Sequence, residues 1–245
     1  MLAILTVLLA NMLTITMAPH GIVAIRAASG LGNGMLIWLL VNLLARSQAP
    51  TRLLAIFVTA NTSLVFILSM ALTTYAIPQF GAMAGYGLLM VLDVLLLLIV
   101  PFLPREFAAL QVGEAGRRVP PTGVLALGAV MLHLTGAMAF WVYSIQIGIQ
   151  SGIPAATMQI IVGAATGVQI VAGLLAIALA SKLTGVQAVL GTVAIALISL
   201  GATAAGGGVA LWSLSLFVFA FSWTFGPAFH IALLIQADPS RRAAV

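Results

Sequence analysis

The chain holds few groups that could do chemistry. Its 245 residues include nine Lys and Arg, four Asp and Glu, three His and no Cys. Without cysteine there is no disulfide, thiolate ligand or thiol nucleophile. No His-Glu-x-x-His zinc helix, no Gly-x-Ser-x-Gly elbow and no ATP-binding loop occurs in it. Along the sequence the acidic and imidazole groups show no paired spacing for acid/base or metal chemistry, so an intramembrane enzyme is the weaker reading, and no metal or cofactor is expected.

What remains is a set of polar side chains stranded in apolar runs. Arg26 is the only cation inside such a run, and Arg at a helix centre in a membrane costs about 2.5–3.5 kcal/mol even on a lenient scale. It either faces a water-filled cavity, binding an anion or coupling to a proton, or snorkels to the interface. Asp93, in Leu-Met-Val-Leu-Asp-Val-Leu, is a proton relay or a protonated structural carboxyl. His133 shares a helix face with Ala137, Phe140 and Ser144, and Gln146 and Gln150 share another with Tyr143. These groups, and Gln169, can bind a polar substrate or join helices at about 1 kcal/mol per bond. Trp223 lies deep enough in its run to line a cavity for an apolar or aromatic substrate, while Trp212 suits the interfacial belt. Gly226-Pro227 predicts a kink, either a hinge or a tolerated bend. Gly30 and Gly34, like Gly81 with Gly85 and Gly163 with Gly167, have the spacing that permits close helix packing.

The elements that must position these groups follow from composition. Hydrophobic residues make up 63% of the chain and charged ones 5%, against roughly a quarter charged in a soluble domain. Too few charges exist to cover a water-soluble surface, so the main partner is the lipid bilayer. The net charge of +5 does not signify nucleic-acid binding, because the cations sit between apolar runs and not together on one face.

Apolar runs of membrane-crossing character cover residues 2–17, 22–44, 53–75, 83–103, 123–149, 155–180, 186–203 and 209–235. The expected fold is therefore all-α, a polytopic membrane protein of about eight transmembrane helices. Arg46 and Arg52, then Arg105, Arg117 and Arg118, then Lys182, then Arg241 and Arg242 occupy alternate loops, and the loops between them hold no Lys or Arg. By the positive-inside rule both termini are cytoplasmic, in the inner (cytoplasmic) membrane. The longest hydrophilic stretch marks a cytoplasmic linker at 104–121, between half bundles of four helices at 1–103 and 122–245. The first run starts at Met1 with no polar flank and does not read as a signal peptide.

The segment Arg26-Ala-Ala-Ser-Gly30-Leu-Gly32-Asn-Gly34 resembles the fourth-helix motif of the major facilitator superfamily. In that register the 104–121 stretch matches the family's central linker, Ala180-Ser-Lys-Leu-Thr-Gly185 its loop between helices eight and nine, and Ala237-Asp-Pro-Ser-Arg-Arg242 its loop after helix ten. Ser181 stands where the family usually has Asp, and residues 53–75 lack the Gly-Pro motif of the antiporters. The resemblance spans the whole chain and implies a partial two-bundle fold, helices three to ten of twelve. It further implies a secondary transporter that moves a small-molecule substrate by alternating access, with a coupling proton or ion, and gives Arg26 and His133 cavity-lining positions. A non-transporting truncated product is the alternative, and on that alternative these helices show weak or no transport unless they associate with the missing segments.

Overall fold

The computed structural model describes residues 1–16, 19–81, 83–102, 119–240 and 242–244. Most of the expected linker, with Arg105, Arg117 and Arg118, lies outside the described residues, as does Arg241. Within them the regular elements are helical: α1 Leu2–Thr16, α2 Pro19–Ala45, α3 Pro50–Ala71, α4 Ile77–Phe80, α5 Ala84–Ile99, α6 Pro121–Gln150, α7 Ala155–Leu179, α8 Gly185–Ala204, α9 Gly208–Ala228 and α10 His230–Ala237. A π turn, Leu72–Ala76, carries α3 into α4 without a break, so this helix outruns the expected span.

Local sequence explains where the helices begin and end. Pro50 and Pro121 open α3 and α6, where a missing N–H sacrifices no helical bond. Thr184 caps α8 in a reciprocal capping box with Gln187. Between α8 and α9 the chain turns through Gly206, Gly207 and Gly208, all at positive φ, where a side chain would be strained.

Among the described residues seven helices are long and apolar enough to cross a membrane. The remaining expected span corresponds to α1, which has 15 residues. At the helical rise this gives about 22 Å, against a hydrocarbon core of about 30 Å. The expected run 209–235 divides into α9 and α10, because Pro227 lacks an N–H and Phe229 leaves helical geometry at ψ 0°.

The helices cluster into two compact units, residues 1–43 with 67–109 and residues 44–66 with 110–245. The first part of α3 therefore groups with the later helices, whereas the expected division assigns it to the earlier ones. The cause is local packing: Ala55 sits among Ala172 and Ala176, and Gly173 leaves room for Thr59 to lie directly on α7.

In the larger unit many helix contacts are made by small residues, and many large apolar ones face outward. Ala165, Ala172, Ala176, Ala220 and Ala228 are fully buried, whereas Leu132, Ile160 and Ile198 are more than 70% exposed. So many outward-facing apolar side chains fit helices that associate in lipid, where small side chains let backbones approach. In the larger unit α9 packs between α7 and α8, with Phe219, Phe229 and Met158 buried. In the smaller unit α1 packs on α5, and Gly32 brings α2 against Val7 and Ala3 of α1.

Candidate functional site

The smaller unit joins two of the stranded charges through an amide. Arg26 on α2 donates from Nη1 to Oδ1 of Asn11 at 3.0 Å, and Asn11 donates from Nδ2 to Oδ2 of Asp93 on α5 at 2.8 Å. The guanidinium also lies 5.6 Å from the ring centre of Tyr86, within cation–π range. Chemistry dictates the direction of the amide, since a guanidinium only donates and a carboxylate only accepts. Asn11 is 2% exposed, while Arg26, Asp93 and Tyr86 are partly buried.

This arrangement answers the question Arg26 poses. Hydrogen bonds to charged groups contribute about 1.5–3 kcal/mol each, comparable to the insertion cost of the cation. The chain Arg26–Asn11–Asp93 is electrically balanced when Asp93 is ionised and has a net positive charge when it is protonated.

The larger unit holds the second cluster. His133 on α6 and His230 at the start of α10 meet edge to face, Nδ1 of His133 being 3.1 Å from Nε2 of His230. The break after Pro227 is what allows this, because it starts α10 with His230 turned inward and 6% exposed. Gly226 lies against the His133 ring: a methyl group there would meet Thr192 Oγ1 and the Cε1 of His133. His133 also lines a groove of about 390 Å³ between α6 and α8, with Phe219 at its floor.

The other expected residues are placed less centrally. Gln146, Gln150 and Tyr143 lie exposed along α6. Gln169 is buried on α7, and its Nε2 has no hydrogen-bond partner among the described residues. Trp223 packs beside Ala137, Ala196 and Phe219. Trp212 is 4% exposed, in a cluster with Met158 and Leu216, so it is a core residue and not part of an interfacial belt. A methyl group at Gly30 or Gly34 would meet nothing within 4 Å; the close approach on α2 falls at Gly32 instead.

Sequence reasoning passed over Asn11, Tyr86 and the role of His230. Asn11 had a visible signal, an amide in the middle of Leu-Leu-Ala-Asn-Met-Leu. Its pairing with residues 15 and 82 positions away did not.

Outside the spans, Asp238 organises the end of the described chain. It is 2% exposed and accepts hydrogen bonds from the Ser240 hydroxyl and from backbone N–H groups of Ser240, Ala243 and Arg242. Burial alone would raise its pKa, but these bonds outweigh burial and hold the carboxyl below its ordinary range. The Thr122 hydroxyl, donating to the carbonyl of Ala237 at 2.8 Å, ties this corner to the start of α6.

Among the described residues no group of three or more His, Cys, Asp or Glu could hold a metal ion. No protein-family model, curated protein or solved structure matches the chain. The helices therefore define its class, a multi-pass helical membrane protein.

Proposed function

We propose that this protein is a secondary active transporter, related in design to the major facilitator superfamily, which moves a small molecule across the cytoplasmic membrane by alternating access. The observation that carries this reading is the Arg26–Asn11–Asp93 chain. A buried amide that bridges a cation and a carboxylate on three apolar helices has little purpose as mere packing, since an apolar contact would hold the helices without the desolvation cost. It is well suited to coupling, because loading or unloading one proton at Asp93 switches the net charge beside Arg26. In this reading the imidazole pair and its groove, within the larger unit, offer a substrate site, and Arg46 and Lys182 in short turns, with Arg52 in the first turn of α3, orient the protein with those ends in the cytoplasm.

Reconstituted vesicles with a trapped pH indicator test the proposal. A panel of organic acids, amines and neutral solutes is applied under an imposed pH gradient, and solute-dependent proton movement is recorded. At least one solute is expected to move protons through the wild type, Arg26→Ala to abolish this with insertion intact, and Asp93→Asn to uncouple solute from proton. Wild-type rates in Arg26→Ala, or unchanged coupling in Asp93→Asn, would remove the relay from the mechanism.

A further inference from the structure

The imidazole pair has a property that the Arg26–Asn11–Asp93 chain lacks: among the described residues, the helices α6 to α10 that surround it carry no counter-charge. Besides His133, α6 offers one titratable group, Tyr143, which is exposed. The helices α7, α8 and α9 contain no Asp, Glu, Lys, Arg or His, and α10 has only His230 itself. In the neutral pair one ring nitrogen donates and the other accepts. A proton added from solution turns one ring into an imidazolium while the bond between the rings persists. That cation then sits among apolar side chains with no carboxylate on the helices α6 to α10 to neutralise it, which is costly unless a bound anion supplies the charge.

The groove supplies the place for such an anion. His133 is the one polar side chain among the groove's lining residues; the others, such as Leu132, Ala137, Val193, Leu197 and Phe219, are apolar. Its volume of about 390 Å³ falls at the lower end of the ~300–1,000 Å³ typical of small-molecule sites. A lining of hydrocarbon with a single imidazole at one point complements a molecule with an apolar body and one acidic head.

We propose that the groove beside His133 binds a water-soluble lipophilic monocarboxylate together with one proton, the carboxylate pairing with an imidazolium of the His133–His230 pair. The two charges cancel inside the site, so acid and proton enter and leave as a unit. This names the substrate class for the transporter reading and rests on that reading for its biological sense, although binding itself does not require transport.

Octanoate is the probe, with octanol and octylammonium as neutral and cationic counterparts of similar length. The full chain in lipid nanodiscs is titrated calorimetrically at pH 6.5 in two buffers of different ionisation enthalpy, which counts the protons taken up. The expected result is saturable octanoate binding with proton uptake, an affinity that falls toward about tenfold per pH unit above the titration of the pair, and much weaker binding of both counterparts. His133→Gln is expected to weaken octanoate roughly 10- to 100-fold, the worth of one charge-assisted hydrogen bond, and to remove the proton uptake. Leu197→Trp, which fills the groove and leaves the imidazoles untouched, provides a second variant should His133→Gln fold poorly. It is expected to weaken octanoate binding at least as much.

Octanoate bound without proton uptake, octanol bound equally well, or wild-type affinity in Leu197→Trp would each overturn the proposal. Palmitate retained where octanoate fails would do so as well, assigning the groove to a membrane lipid. Vesicle transport of some other solute with no octanoate binding would sink this inference alone. Octanoate binding without any solute-driven proton movement would sink the transporter reading alone.

Discussion

Arg26 and Asp93 are each expensive in a bilayer when alone, and Asn11 makes them affordable by offering the acceptor that one needs and the donor that the other needs. Replacing Asn11 by Leu deletes both bonds and leaves two partly buried charges without a bridge. The expected cost is about 1–3 kcal/mol, between the value for hydrogen bonds to charged groups and the smaller average measured inside membranes. A lowered midpoint of thermal unfolding in detergent checks this, and a midpoint equal to wild type would show that the bridge contributes nothing. At Asp238 the test is pH. Its carboxyl is held below the ordinary range in the folded chain, so its contribution is fully present above the unfolded-state value and is lost as pH falls through the folded one. Wild type is therefore expected to lose more stability than Asp238→Asn on acidification below the usual carboxylate range. Parallel acid titrations of the two proteins would contradict that assignment.

Helix contacts in this protein are set by a few glycines, and not the ones whose spacing first draws the eye. Gly185, the first residue of α8, lies directly against the backbone of Leu233 on α10, and a Cβ there would strike main-chain atoms that cannot rotate away. Gly185→Val is expected to destabilise the larger unit by about 1–3 kcal/mol, the usual range for overpacking. Gly34 has open space around its Cα, so Gly34→Ala is expected to be neutral or to stabilise α2 by up to about 1 kcal/mol through helix propensity. Thermal unfolding of the two variants in the same detergent distinguishes them. A tolerated Gly185→Val or a disruptive Gly34→Ala would reverse this account of which contacts matter.

At the scale of the whole chain, the natural absence of cysteine makes topology directly measurable. Single substitutions Ser47→Cys and Ser181→Cys lie in turns expected to face the cytoplasm, whereas Ser151→Cys and Ala205→Cys lie in turns expected to face outward. In intact cells a membrane-impermeant maleimide is expected to label the last two and spare the first two. Labelling of Ser47→Cys alongside Ser151→Cys would break the alternation on which the orientation rests.

Much of this protein was legible from composition and spacing. Lipid solubility demands long apolar runs and few charges, and both are properties of the chain read in order, so helical class and approximate spans follow from the sequence. The cost of a charge in hydrocarbon also singled out Arg26 and Asp93 from sequence alone, and the Gly226-Pro227 pair announced a helix break close to where one occurs. Partnership was not legible. Asn11 lies 15 residues from Arg26 and 82 from Asp93, and His133 lies 97 from His230, separations that local periodicity does not encode. Which glycine touches a neighbour was equally hidden, because a Gly-x-x-x-Gly spacing allows close approach without saying which helix face meets another. Those facts depend on the rotation and crossing of packed helices, which arise from the fit of side chains brought together across the chain, and only the tertiary structure decided them.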